Sequence, residues 1–352
     1  MKRLLIITQK VDQNDDLLGF FVDWLREFAK HFEHISIITL GVGLYELPKN
    51  VTVYSCGKER DTWRPFRWVR FLWLLITLIP RSSAVFAHMS PAFALTAWPM
   101  AAIMGKKVVL WYLHRSVTLR LKLSEFLCHR IVTADVESLG ITSKKVIAVG
   151  HGIDTEKFKT SRNWDHSGTF KIVSVGRISP IKNYETLLAA VQKLKLTNPD
   201  FHVRIIGRPV MRGDNGYLDK LHKLSKQLGI SDVVQFAGFI PYDKIADEYK
   251  VADAVVGMTP HGGIDKAILE GMASGALALT SNDAMKKYFS DYAEKLLFRY
   301  GDSDELAAKI RFLIGLTPAE RSEMSRFLMV SVSQHHALRN AVQKISQLFY
   351  LP

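Results

Sequence analysis

Short apolar runs alternate with longer amphipathic stretches along nearly the whole chain, and no other sequence feature limits the fold as much. An apolar run of about four to six residues is a strand buried on both faces, and an amphipathic stretch of about ten or more is a helix covering one face. Strands are expected near Arg3–Thr8, Ile35–Leu40, Val51–Ser55, Ala84–Ala87, Lys107–Trp111, Arg130–Thr133 and Val146–Val149, with a first helix from about Gly19 to His31. The polar stretch Lys157–Thr169, read as the linker at the domain boundary, interrupts the pattern. It restarts with a strand at Phe170–Val175 and a helix at Tyr184–Leu196, whose Leu187, Leu188, Val191 and Leu194 share one face. Further strands are expected at His202–Ile206, Val233–Ala237, Ala252–Val256, Ala276–Thr280 and Leu296–Phe298, and Glu305–Phe349 reads as helices only. Two consecutive Rossmann-like α/β domains are the simplest architecture, with a ligand in the cleft outside the carboxyl ends of the strands.

The length of 352 residues suits two domains, and 48% hydrophobic with 23% charged residues suits buried cores rather than disorder. Cys56 and Cys128 cannot form a disulfide framework and lack metal-ligand spacing, which fits a reducing, cytosolic setting. The four apolar residues after Met1-Lys2-Arg3 form a strand, not the longer core of a signal peptide. The longest membrane-like run, Phe71–Ile79, has nine residues, against the twenty or so of a spanning helix, so the chain is not expected to cross a membrane. Net charge is +13, and Lys58–Arg130 holds twelve Lys/Arg against three Asp/Glu. Anionic partners follow: nucleotide, phospholipid headgroups or nucleic acid.

Two segments carry the chemistry. In the first, strand Val173–Val175 ends at Gly176, and the following loop presents Arg177 and Lys182 before Asn183 and a helix. Two cations beside a helix start suit a diphosphate, although basic loop residues are also common on surfaces. The second runs from His261-Gly262-Gly263-Ile264-Asp265-Lys266 to Glu270-Gly271-Met272-Ala273-Ser274-Gly275. Its paired glycines let a backbone approach a ligand, a helix starts near Asp265, and Glu270 sits over a turn inside. The plain alternative makes Asp265 an N-cap and Glu270 a surface acid, but Glu270 lies among Ile268, Leu269, Met272 and Ala273.

Together these segments resemble the retaining GT-B glycosyltransferases of family 4. Gly176-Arg177 with Lys182-Asn183 is similar to that family's diphosphate motif, and Gly262–Gly275 to its E-x7-E segment. Val149–Asp154 with Phe158 is similar to the signature leading into the second domain. The resemblance implies two Rossmann-like domains facing across a cleft, with C-terminal helices packing back on the first. With the boundary at the polar stretch, an acceptor-side domain is expected at 1–160, a nucleotide-sugar domain at 161–332 and a returning helix at 333–352. The implied donor is a UDP- or GDP-linked sugar, and no cofactor or metal is required.

The resemblance makes Arg177, Lys182 and His114 catalytic, His114 following strand Lys107–Trp111. It places Gly19, Gly176, Gly207, Phe239 and Ile240 around the nucleotide, with Gly262, Gly263 and Ile264 forming the turn and Glu270 on the ribose. Gly262 stands where the family has its first glutamate, which helps to hold the donor sugar. Asp265 and Lys266 replace small or apolar residues and are expected to reach sugar or phosphate, while His151 stands at the usual Asn.

Arg64, Phe66, Arg67, Trp68, Arg70 and Trp73 alternate cations with rings at helical spacing, which fits an anionic membrane interface. A core helix with snorkelling arginines is the alternative. His88, ending strand Ala84–Ala87, is a further acceptor-side candidate. The acceptor would be a lipid-linked saccharide or glycolipid on the cytosolic membrane face, with the enzyme cytoplasmic and peripheral. No nucleic-acid recognition module is present. Asp302-Ser303-Asp304 precedes a helical stretch and reads as a cap rather than a metal motif. Two rivals share much of this pattern. A nicotinamide-dependent dehydrogenase would need G-x-G-x-x-G after its first strand, where this chain has Thr8-Gln9-Lys10. A non-catalytic nucleotide-sugar-binding relative would fit Gly262.

Overall fold

A computed structural model describes residues 2–165, 168–197, 200–210, 214–260 and 262–350, so His261 of the glycine turn and two positions of the polar stretch lie outside the described residues. The chain divides into two compact units, Met1–Gly152 with His336–Pro352, and Ile153–His335.

The first unit is built on seven parallel strands: β1 (Arg3–Val11), β2 (His34–Val42), β3 (Val51–Ser55), β4 (Ala84–His88), β5 (Lys107–Trp111), β6 (Arg130–Thr133) and β7 (Val146–Ala148). Their spatial order is β3-β2-β1-β4-β5-β6-β7. Strand β1 shows why: Leu4 and Ile6 enter one core and Leu5 and Ile7 the other, all four at 0% exposure. Successive side chains point to opposite faces, so only a central strand covered on both sides accommodates this run. Helix Phe21–Ala29 and the C-terminal helix Leu338–Leu348 pack together on the Leu4 side. Lys2 Nζ donates to the Phe349 carbonyl at 2.7 Å, fastening the chain's end to its start. Helices Arg64–Leu78, Pro91–Ile103 and Leu119–Leu127 cover the Leu5 side.

The second unit carries β8 (Phe170–Val175), β9 (Phe201–Ile206), β10 (Val234–Gly238), β11 (Ala254–Gly257) and β12 (Leu277–Thr280), all parallel, in the order β10-β9-β8-β11-β12. Because every strand runs the same way, the loops following them emerge at one edge. Leu296–Phe298 is not a strand: Leu297 makes one isolated parallel bridge to Thr280, and a short helix, Ala293–Leu296, takes up the first residue of the run. The polar linker is not a passive spacer either. Arg162, within it, is turned inward and donates to the carbonyls of Tyr249 (2.7 Å), Ala252 (2.5 Å) and Ser274 (2.9 Å), tying together the carboxyl ends of two helices. Asp302 Oδ1 accepts from the Glu305 amide at 2.9 Å, so that acid caps helix Ser303–Gly315.

Candidate functional site

The loops at the carboxyl edge of the second sheet interlock through their main chains. Gly176 donates to the Ile206 carbonyl at 3.0 Å, Ile178 to Arg208 at 3.1 Å, and Gly207 to Gly238 at 2.8 Å. Gly207 is indispensable to this crossing: it has φ +146°, and a Cβ there would lie 1.8 Å from the Gly176 carbonyl oxygen. The Tyr184 hydroxyl donates to that same oxygen at 3.3 Å.

From this frame the loop after β8 presents both cations of the sequence motif. Arg177 is half-buried and makes no hydrogen bond or ion pair among the described residues. Lys182 lies across Gly176, where a Cβ would stand 3.0 Å from its Cε. Asn183 follows with φ +46°, a left-handed conformation that Asn tolerates better than most residues.

Helix Lys266–Ala273 meets this loop. Gly271 lets it lie close on β11, since a Cβ there would be 2.4 Å from Val255 Cγ1. Asp265 caps the helix, accepting from the Ala267 amide at 3.2 Å. Its other oxygen takes the Lys182 ammonium at 2.6 Å and the Thr259 hydroxyl at 2.8 Å. Burial alone would push the Asp265 carboxyl up; the Lys182 charge and these three hydrogen bonds outweigh it and hold the group below its ordinary range. Asp265 therefore has two jobs, helix cap and counter-ion to Lys182.

Glu270 is 5% exposed, which removes the surface-acid alternative. It accepts from the Tyr249 hydroxyl at 3.2 Å. Burial is the main cause that pushes its carboxyl up to about 7, aided by the negative charge of Asp265 and opposed by Lys266 and by hydrogen bonds from Tyr249 and Tyr242. Lys266 sits with its ammonium 5.6 Å from the Tyr242 ring centre. The glycine turn is half-exposed at Gly262 and exposed at Gly263, while Ile264 is buried. Asn282 fixes the turn from below, donating to the Gly263 carbonyl at 2.9 Å. Phe239 and Ile240 follow β10 at the same edge, and the Arg208 guanidinium lies 4.3 Å from the Phe239 ring centre.

Thr259, Tyr249, Asn282 and Arg208 shape this edge and were not expected from sequence. Only Arg208, directly after Gly207, offered a local signal.

The remaining candidates belong to the first unit. His114 is exposed just beyond β5, with its ring centre 5.4 Å from that of Tyr112. Gly19 lies in a buried turn two residues before the first helix, which begins at Phe21 rather than at Gly19. His88 does not line an open acceptor surface. It is 1% exposed, stacked on Phe21 at 3.6 Å and hydrogen-bonded to Thr8 at 3.0 Å, because β4 is central and both its faces are covered. His151 donates its amide to His336 Nδ1 at 3.2 Å, a contact inside the first unit. Arg64, Trp68, Arg70 and Trp73 are exposed on their helix and Arg67 is half-buried.

Two parallel Rossmann-like sheets, with a cationic loop and a helix start at the carboxyl edge of the second, define a GT-B type α/β protein. Solved structures show the same fold. Sucrose-phosphate synthase of Thermosynechococcus elongatus superposes with a TM-score of 0.79 at 14% identity over 99% of this chain and 98% of that one. HepE of Anabaena, solved with UDP, gives 0.77 at 17% identity over 99% and 100%. Residues 155–326 match the family described as Glycosyl transferases group 1. Among curated relatives, a D-inositol 3-phosphate glycosyltransferase of Streptomyces bingchenggensis is 35% identical over 28% of this chain and 23% of its own length. The lipopolysaccharide core biosynthesis glycosyltransferase LpsE of Rhizobium meliloti is 28% identical over 41% and 39%. The matched part thus spans less than half the length of either relative.

Proposed function

We propose that the protein transfers a sugar from a nucleoside-diphosphate donor to an acceptor hydroxyl with retention of configuration. One observation carries the reading: Gly176 and Gly207 cross so tightly that Arg177 and Lys182 are presented together at the strand ends, beside the start of helix Lys266–Ala273. When the bond between sugar and diphosphate breaks, negative charge develops on the departing phosphate oxygens. Cations held at that position stabilise the transition state. Arg177 and Lys182 are the catalytic groups in this reading, Glu270 binds the ribose, and the family resemblance assigns His114 to the transferred sugar. No metal has a role in it. Support for a nucleotide donor comes from HepE, solved with UDP, with UDP and glucose, and with UDP-glucose.

The acceptor in this proposal is a lipid-linked saccharide or glycolipid, reached from the cytosolic membrane face. Helix Arg64–Leu78 supports this, since Trp68 is 55% and Trp73 60% exposed. Two similar proteins are named for such acceptors: LpsE, and a human mannosyltransferase whose name specifies a dolichol-diphosphate saccharide.

Thermal shift against UDP, GDP, ADP and dTDP, followed by their sugar conjugates, tests the donor. Stabilisation grows with the logarithm of ligand over Kd, so one base should stand out. Single-turnover transfer or slow donor hydrolysis with the preferred conjugate then distinguishes an enzyme from a non-catalytic relative. Absence of any nucleotide response would remove the proposal.

A further inference from the structure

The first unit leaves a wide apolar face on the side of its sheet opposite the C-terminal helix. Helix Arg64–Leu78 buries Phe71, Leu74, Leu75 and Leu78, yet its outer side carries Trp68, Leu72, Trp73 and Ile76 at 45–60% exposure. Helix Pro91–Ile103 contains no charged residue at all. It buries Phe93, Ala94, Ala97 and Ala101 and leaves Pro99, Ala102 and Ile103 exposed, Ile103 at 86%. Helix Leu119–Leu127 buries Leu121 and leaves Leu119 (73%), Leu123 (45%) and Phe126 (79%) in solvent. The spacing of those three, four and then three residues, puts them on one side of the helix.

The three helices are neighbours. The Phe71 and Phe93 rings meet at 5.8 Å, and the second and third helices pack together. Their outer sides therefore form one surface rather than scattered exposed residues. A contiguous apolar area of this kind on a protein surface marks an interaction site.

We infer that the outer sides of helices Arg64–Leu78, Pro91–Ile103 and Leu119–Leu127 together form a face that beds into an anionic lipid bilayer. Charge names the occupant. Arg64, Arg70, Arg120 and Lys122 are exposed on the first and third helices, and Lys58–Arg130 carries nine more Lys/Arg than Asp/Glu. Tryptophans and arginines bordering an apolar strip belong at the headgroup level of a negatively charged membrane. At 15, 13 and 9 residues the helices are too short to cross a bilayer, so they lie in its surface. The first and third helices follow β3 and β5, so both begin at the carboxyl edge of the sheet, the edge from which His114 emerges. This inference rests on the proposed membrane acceptor and extends it from one helix to three.

The test uses the full chain and flotation with two kinds of vesicle, phosphatidylcholine alone and phosphatidylcholine with phosphatidylglycerol. The wild type should float with the anionic vesicles only. A variant with Ile103→Glu, Leu123→Glu and Phe126→Glu, which leaves the first helix intact, should lose about tenfold or more of its bound fraction. Its melting temperature and nucleotide response should be unchanged, since all three side chains are exposed. A second variant, with Arg67, Trp68, Arg70 and Trp73 changed to Ser, should lose binding as well. If only the second variant detaches, the three-helix face is wrong and single-helix docking stands. If the wild type ignores both vesicles, the membrane acceptor and the face fall together, while donor binding is judged separately by thermal shift. Self-association that disappears in the glutamate variant, with no lipid binding, would make the face a protein interface and overturn the inference.

Discussion

Lys182→Met separates the two roles of the Lys182–Asp265 pair, one in the fold and one in the chemistry. The pair is 2.6 Å apart with its side chains 17% and 9% exposed. Methionine keeps the unbranched stem of lysine and removes the charge, leaving the Asp265 carboxylate enclosed with only Thr259 and the Ala267 amide as donors. Breaking a buried pair from one side costs about 3–5 kcal/mol, and the residual exposure here points to about 3. For a unit of this size that corresponds to a melting temperature lower by about 6–12 °C. The pH dependence has a definite sign. In the wild type the Asp265 carboxyl is depressed, so its contribution is present above the unfolded value of 3.8 and is lost as pH falls through the folded value. In Lys182→Met burial prevails and the carboxyl rises, so the deficit is full at neutral pH and shrinks toward acid. Lys182→Met with Asp265→Asn removes the stranded charge and should recover most of the melting temperature. Neither variant should recover nucleoside-diphosphate binding. Differential scanning calorimetry with and without nucleotide reads all of this. A single variant that melts within about 2 °C of the wild type, or a double variant no better than the single, would show that the pair is not a stabilising buried contact.

Glu270→Gln should stabilise the protein at pH 8 by up to about 3 kcal/mol and have no effect near pH 4, because a carboxyl raised from 4.5 to about 7 penalises folding only above its unfolded value. Melting curves across that range check the sign. Gly207→Ala forces a Cβ against the Gly176 carbonyl and should abolish nucleotide binding. Gly238→Ala, where a Cβ meets nothing within 4 Å but φ is +72°, should cost only about 1 kcal/mol and retain binding, as thermal shift would show. Arg162→Ala strips a half-buried guanidinium from three helix-end carbonyls and should lower stability by about 3 kcal/mol, read by calorimetry.

The strand pattern of both sheets was legible because a parallel sheet buries most of its strands on both faces and writes them as mainly apolar runs, and β8 has the expected bounds. Leu296–Phe298 has the same local appearance, but its neighbour at the sheet edge supplies only one bridge, and no local signal reports a missing partner. Arg177 and Lys182 were legible because they sit within one loop. The Asp265 counter-ion was not, since it lies 83 residues from Lys182 in sequence. His88 shows the converse: a histidine at a strand end reads as a site residue, and only the packing of Phe21 against it shows that it belongs to the core. Arg162 was hidden by its polar surroundings, which resemble a linker until its carbonyl partners are in place.

In the proposed function, Arg177, Lys182 and the interlocked glycine loops of the second unit hold a diphosphate. Calorimetric titration of the preferred nucleoside diphosphate and the matching nucleoside tests it most directly, in the wild type and in Arg177→Ala. The diphosphate should bind the wild type about a hundredfold or more tightly than the nucleoside, and most of that difference should disappear in the variant. Equal affinity of the two ligands for the wild type, or an undiminished difference in Arg177→Ala, would contradict the account.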